Sequence, residues 1–284
     1  MNLLIVGGAG YIGSHIVLEA LDRGYKTTIF DDLSTGNNKN IHNAAKFIQG
    51  STLSNSDLLK LFKNDNYDCV IHLAASKASL ESMSNPSKYA SNNIIGSLNL
   101  INFCSKYKIK SFIFSSSAAV YGNPKYTPID ESHPLVPNNY YGYTKLMIEN
   151  NLSWFSKLKG IHFAALRYFN AAGYDTKNRL LGLEIDPQNL IPIVMEAAIG
   201  LRKKVYIFGN DYSTKDGTGV RDYIHVSDLA SAHLETIDYI NRKKKNLIIN
   251  LGTGSGHSVL DIIKKVQEVS NVSIRYDFKD RRSG

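Results

Sequence analysis

The sequence predicts an α/β fold: a doubly wound parallel (Rossmann-type) sheet followed by a smaller C-terminal region. Three observations predict it. The chain opens with an apolar segment that runs into a glycine-rich turn and then a helical pattern. Short apolar segments then alternate with helical ones as far as Asn170. Beyond that point the rhythm breaks, with Pro187, Pro192 and the polar segment 210–219. Alternating β and α segments imply a parallel sheet covered by helices on both faces.

The elements justify this reading in order. Leu3-Leu4-Ile5-Val6 is an apolar strand, and Gly7, Gly10 and Gly13 follow at intervals of three. Ile16, Val17, Ala20 and Leu21 then fall on one face of a helix. Thr27-Thr28-Ile29-Phe30 forms the next strand and ends in Asp31-Asp32. A strand at 46–49, a helix around 57–63 and a strand at 68–73 come next. One long helix is expected over 87–107, a strand at 111–114, a helix over 141–158 and a strand at 162–167. The boundaries expected are 1–170 for a dinucleotide-binding domain and 171–284 for a mainly substrate-binding region. Segment 224–255 is expected to return to the first domain.

A strand, a glycine turn and a helix in that order make a phosphate site. Glycines let the backbone approach a pyrophosphate, and the N–H groups of the helix start carry partial positive charge. The spacing is G-x-x-G-x-x-G, one residue wider than the G-x-G-x-x-G fingerprint. Asp31 stands where a dinucleotide fold places the acid that binds ribose hydroxyls. That acid favours NAD over NADP, because it repels a 2′-phosphate. Asp31 continues the strand and is preferred to Asp32, which also reads as a solvated strand end.

Composition narrows the function classes. Hydrophobic residues make up 43% of the 284, enough for a packed core. No run of 18 apolar residues exists and the start lacks a signal-peptide pattern, so no membrane association is expected. Cys69 and Cys104 lack metal-type or redox-type neighbours. They read as buried thiols in a reducing compartment, hence a cytoplasmic protein. The net charge of +8 is spread out. Its dense runs, at 202–204 and 242–245, follow helical patterns where cations suit the helix end, so no nucleic-acid partner is expected.

A catalytic constellation stands on the later elements. Ser115-Ser116-Ser117 ends a strand, and Tyr141-Gly142-Tyr143-Thr144-Lys145 opens a helix. Tyr141 and Lys145 are four apart and share a face, whereas Tyr140 and Tyr143 do not share it. A free tyrosine ionises near pH ~10, and a nearby ammonium lowers that value. Tyrosine, lysine and serine beside a nicotinamide can take a proton from an alcohol while hydride leaves its carbon.

The segments GGAGYIGSH, SSSAAVYG, YGYTK, LRYFNAAG and DGTGVRDYIHVSDLA resemble the extended short-chain dehydrogenase/reductase superfamily. Within it the chain is similar to the UDP-glucose (UDP-galactose) 4-epimerases along its whole length. The stretch from Phe208 through Tyr212 and on to His225 is more specific than the superfamily motifs. The resemblance implies an isomerase that uses bound NAD to invert carbon 4 of a UDP-hexose through a 4-keto intermediate, with no metal.

It also implies roles for individual residues. Ser117, Tyr141 and Lys145 would be catalytic. Gly7, Gly10, Tyr11, Ile12 and Gly13 would hold the pyrophosphate of NAD. Asp31, Asp32, Ser34, Thr35 and Gly36 would lie along its adenosine side. Leu73, Ala74, Ala75, Lys77, Asn92, Ser115 and Tyr168, with Tyr141 and Lys145, would complete the cofactor site, and Asn93 shares the motif of Asn92. The UDP-sugar would meet Lys77, Ser117 and Tyr141, together with Asn170, Asn189, Leu190, Val205, Tyr206, Phe208, Arg221, Tyr223 and Arg282. Arginine suits a diphosphate because its guanidinium fork donates two bonds at once. A homodimer is implied through helices 87–107 and 141–158, with Ile94, Leu98, Ile101, Leu146, Ile148 and Leu152 at helical spacing.

Two departures stand out. Gly50-Ser51-Thr52 replaces the family's acid after the third strand's glycine, so adenine is expected to be held more weakly or by backbone. The chain stops at Gly284 within the family's R-R-x-G-D segment, which bears on the wall of the sugar pocket. The competing readings are a UDP-N-acetylhexosamine 4-epimerase, a nucleotide-sugar 4,6-dehydratase and an inactive NAD-binding protein. Ala118-Ala119 after Ser117 lacks the acidic pair of the dehydratases.

Overall fold

The computed structural model describes residues 1–184 and 187–281. In chain order the first elements are β1 (Asn2–Val6), α1 (Tyr11–Asp22), β2 (Lys26–Asp31), β3 (Lys46–Gln49), α2 (Asn55–Asn64) and β4 (Cys69–His72). Then come α3 (Ser79–Ser84), α4 (Pro86–Tyr89), a π-helical segment (Ala90–Ile95) and α5 (Gly96–Lys106). They are followed by β5 (Ser111–Ser117), α6 (Tyr140–Lys159), β6 (His162–Tyr168) and β7 (Asn170–Ala172). The remainder is α7 (Leu190–Ala198), β8 (Val205–Phe208), β9 (Val220–His225), α8 (Val226–Lys243), β10 (Leu247–Leu251), β11 (Gly256–Ser258), α9 (Val259–Ser270) and β12 (Tyr276–Lys279).

The described chain forms two compact units, Met1–Leu183 with Ile224–Leu251, and Glu184–Tyr223 with Gly252–Gly284. The first unit holds a parallel seven-stranded sheet in the order β10-β6-β5-β4-β1-β2-β3. From β1 the chain runs outward to β3, then returns to β4 and runs the other way. The order therefore reverses between β1 and β4, and a ligand crevice forms beyond the C-terminal ends of such strands.

Alternation along the strands feeds two apolar layers. Leu4, Val6, Val70, Phe112, Phe114 and Phe163 pack with Leu58 and Phe62 of α2, Leu100 and Ile101 of α5, and Ile148 and Leu152 of α6. Leu3, Ile5, Ile29, Ile71, Ile113 and Leu166 pack with Ile16 and Val17 of α1 and with Leu234 and Ile237 of α8. Both faces are thus apolar, as a buried parallel sheet requires. The second unit has its own core of Val194, Val205, Ile207, Ile263 and Ile274. There β8 pairs in parallel with β12, and β9 pairs antiparallel with β11.

Two expectations are corrected. The single helix expected over 87–107 is three pieces: α4, the π-helical segment and α5. The wide π turn carries Asn92 and Asn93, whose amides both reach the loop after β4. Interruptions of this kind cluster at functional sites. The residues named for dimer contact also divide differently: Ile101, Ile148 and Leu152 are at most 1% exposed and belong to the chain's own core. On the same helical stretches Ile95, Trp154 and Leu158 are instead 51%, 61% and 70% exposed. No described helix is long and apolar enough to cross a membrane.

Candidate active site

The glycine turn is shaped by close approach. Gly7 has φ +86°, and a Cβ there would lie 2.6 Å from the Ala74 nitrogen, so β1 and β4 can release their chains side by side. A Cβ on Gly13 would lie 2.1 Å from the Gly7 carbonyl, so glycine lets α1 start tight against the turn. Gly10 caps α1 in an extended conformation with no side-chain cap, so no side-chain oxygen competes for the helix start. This cradle fits a pyrophosphate bound by backbone N–H groups.

Asp31 ends β2 and is buried. Its carboxylate accepts from Ala9 N at 3.0 Å and Leu33 N at 2.9 Å. Burial pushes its pKa upward, and those two backbone bonds oppose the shift. Each oxygen keeps acceptor capacity for a ribose hydroxyl. Gly36 lies against it, since a Cβ there would sit 2.7 Å from Asp31 Oδ1. Asp32 is exposed and instead shapes the turn, accepting from Ser34 N at 2.9 Å and Ser34 Oγ at 2.6 Å. Thr35 is exposed as well. At the Ser51 position a carboxylate arrives from α2, where Asp57 accepts from Ser51 N at 3.2 Å. Sequence spacing from Gly50 gave no sign of this acid.

The catalytic candidates converge from β5 and α6. Asn139 caps α6 by accepting from Gly142 N at 2.9 Å, and Tyr141 N donates to Ser82 Oγ at 3.1 Å. A Cβ on Gly142 would lie 2.4 Å from the Ala119 carbonyl, so this glycine lets α6 lie on the segment after β5. That approach brings Tyr141 close to Ser117, whose Oγ accepts from Ala119 N at 3.1 Å. Lys145 is buried, donates from Nζ to the Ser115 carbonyl at 2.7 Å and lies 5.7 Å from the Tyr141 ring centroid. Tyr143 is 44% exposed and stacks on Tyr140, away from this group.

Burial pushes the Tyr141 phenol up, and the Ser117 hydrogen bond opposes it. Burial also pulls Lys145 down to about 7, against the attraction of Glu149. Each charge alone is penalised by desolvation, and a phenolate and an ammonium formed side by side would offset one another.

Support for this group went unread in the sequence. Asn93 accepts from Ser76 N at 2.8 Å and donates to the Ser76 carbonyl at 3.0 Å and to Thr144 Oγ1 at 3.1 Å. It thereby ties the loop bearing Leu73, Ala74, Ala75 and the exposed Lys77 to α6. Asn92 donates to Ser76 Oγ at 3.0 Å. Behind Lys145, the buried Glu149 receives Arg167 Nε at 3.0 Å, Arg167 Nη2 at 2.5 Å and the Ser116 hydroxyl. One signal was present: Tyr141, Lys145 and Glu149 follow at intervals of four on one helix face.

Tyr168 ends β6 and Asn170 lies in β7, both half-buried. In the second unit Asn189 precedes α7 without a side-chain cap, and Leu190 is its first residue. Val205, Tyr206 and Phe208 lie on β8, with the Lys279 ammonium 3.8 Å from the Tyr206 ring centroid. Arg221 and Tyr223 lie on β9, and Arg221 Nη1 donates to the Val220 carbonyl at 2.8 Å. Arg282 lies outside the described residues. Its neighbour Arg281 donates to Asp211 at 2.7 Å and lies over the Tyr212 ring. Among the described residues no group of three His, Cys, Asp or Glu side chains could hold a metal ion.

The sequence model of the NAD dependent epimerase/dehydratase family matches residues 3–252. UDP-glucose 4-epimerase of Lactobacillus helveticus is 40% identical over 284 residues, covering 100% of this chain and 86% of that protein. The crystal structure of UDP-glucose 4-epimerase from Brucella ovis in complex with NAD superposes with a TM-score of 0.96 at 38% identity, covering 100% of this chain and 87% of that one. The enzyme from Bifidobacterium longum, in complex with NAD+ and UDP, gives 0.94 at 38% identity, with 100% and 88% covered. The chain therefore belongs to the NAD dependent epimerase/dehydratase family, among its UDP-glucose 4-epimerases.

Proposed function

We propose that the chain is an NAD-dependent isomerase that inverts carbon 4 of a UDP-hexose, interconverting UDP-glucose and UDP-galactose. The observation that carries this reading is the convergence of Tyr141, Ser117 and buried Lys145, whose Nζ lies 5.7 Å from the Tyr141 ring centroid, on a sheet whose first turn is a pyrophosphate cradle. The first unit holds NAD through the backbone of Gly7 to Gly13 and through Asp31. The second unit holds the UDP half through Asn189, Leu190, Val205, Tyr206, Phe208, Arg221 and Tyr223.

Bound NAD supplies a reversible acceptor for the hydride of carbon 4. Tyr141 takes the proton of the 4-hydroxyl as its phenolate, and Ser117 holds both oxygens in line. Lys145, as a nearby ammonium, stabilises that phenolate. A sugar held only through its diphosphate can present either face of its 4-keto form to Tyr141, and the same residue returns the proton. Segment 118–119 contains only alanine, so no carboxylate stands ready for the elimination of a dehydratase.

We also propose a cytoplasmic homodimer. Ile95, Tyr143, Trp154 and Leu158 support it, as apolar side chains left exposed on the helical stretches 90–106 and 140–159. Light scattering at micromolar concentration should give twice the chain mass, and a monomer contradicts it. For the activity, UDP-galactose is incubated with the purified chain without added NAD and followed by NMR. UDP-glucose should accumulate to a fixed ratio. A 4-keto-6-deoxy product, or no conversion even with NAD supplied, contradicts the proposal.

A further inference from the structure

We propose that His233 is a positioning residue of this site: as its Nδ1–H tautomer it accepts a hydrogen bond from the Ser115 hydroxyl and so holds the strand residue whose carbonyl receives Lys145. The inference rests on the epimerase reading and deepens it.

The argument is one of donors and acceptors. His233 lies on α8, fully buried, on the sheet face opposite α6. Its Nδ1 is 2.7 Å from the Leu229 carbonyl, one turn earlier. A carbonyl only accepts, so Nδ1 carries the proton. Desolvation holds the ring's pKa down to about 4, so the imidazole is neutral and Nε2 is bare. Nε2 lies 3.2 Å from Ser115 Oγ, and the serine must donate to it. The single Ser115 proton is then committed, and its oxygen can only accept.

Ser115 is the residue whose carbonyl receives Lys145, so the α8 face of the sheet reaches the lysine of the site through one strand residue. Tyr168 lies on the neighbouring strand, its ring centroid 6.2 Å from that of His233. Such rows of hydrogen bonds polarise one another and act as a unit.

Two measurements test this. In the 15N-labelled wild-type chain, two-bond 1H–15N correlation at pH 7 reads the tautomer of His233, assigned by difference from His233→Gln. The Nδ1–H neutral ring is expected, and an Nε2–H ring or an imidazolium overturns the inference. In epimerisation, His233→Phe keeps the ring volume and removes the acceptor, and His233→Gln keeps an acceptor oxygen. His233→Phe should lower kcat about 10-fold, a barrier change of about 1.4 kcal/mol, with KM unchanged. His233→Gln should recover most of that loss. Equal losses in the two variants would mean that the histidine only fills space, and would overturn the inference. A wild-type chain that does not epimerise at all overturns the functional reading, and the tautomer measurement then decides the inference by itself.

Discussion

Ser115 and Ser116 are adjacent on β5, yet they serve opposite faces of the sheet and opposite electrostatics. Ser116 faces α6 and donates to Glu149, a carboxylate buried with Arg167 in a two-pronged ion pair. Ser115 faces α8 and meets a neutral histidine. The two networks flank the same strand end, immediately before Ser117. Their difference shows how a buried site is held by two means. The α6 face carries charge that is compensated by its partner, and it sits beside the buried Lys145. The α8 face carries only dipoles, whose direction rather than charge is fixed.

The largest effect on folding should come from breaking the charged face. Arg167→Met leaves Glu149 buried without its cation and should cost about 3–5 kcal/mol in urea unfolding. The pair Glu149→Met/Arg167→Met should recover most of that loss, because neither charge then remains. If Arg167→Met alone is as stable as wild type, the carboxylate is not isolated from water and the comparison fails.

A smaller difference separates the two serines. Ser116→Ala removes a hydrogen bond to a charged group and should cost about 1.5–3 kcal/mol. Ser115→Ala removes a neutral one and should cost about 0.5–1.5 kcal/mol. Denaturation midpoints at equal slope read both values, and the reverse order contradicts the assignment of charge to the α6 face.

The neutral face should show itself in acid. His233 is held down to about 4 and His72, also buried, to about 3 by desolvation. Below the ordinary histidine value the unfolded chain takes up protons that the folded chain refuses. Stability is then lost as pH falls from about 6.5 towards 4, by at most about 1.4 kcal/mol per pH unit for each ring. His233→Gln should remove one proton from that slope, as read by urea unfolding between those pH values. An unchanged slope would mean that His233 titrates while folded.

Local chemistry was legible in the sequence, and remote contacts were not. Gly7, Gly10, Gly13 and Asp31 are read from one β–α–β stretch, and Tyr141 and Lys145 from a helical interval of four. Each needs only the geometry of its own element. Asn93 with Thr144, and Ser115 with His233, join residues 51 and 118 positions apart, and no periodicity encodes such a meeting. Helix 87–107 was misread because asparagine in a helical pattern does not reveal that its amide will reach a neighbouring loop and widen a turn. The apolar spacing of Ile101, Ile148 and Leu152 located a buried face correctly, but spacing does not say whether the chain's own sheet or a second copy covers it.

The central claim is that Tyr141 moves the proton, and one pair of substitutions tests it most directly. Tyr141→Phe keeps the ring and removes the ionisable oxygen, so kcat for UDP-galactose epimerisation should fall about 10²–10⁴-fold, with the fold and the bound nicotinamide retained. Tyr143→Phe, exposed on the other face of α6, should leave kcat unchanged. Near-normal turnover in Tyr141→Phe, with loss in Tyr143→Phe, would contradict the account.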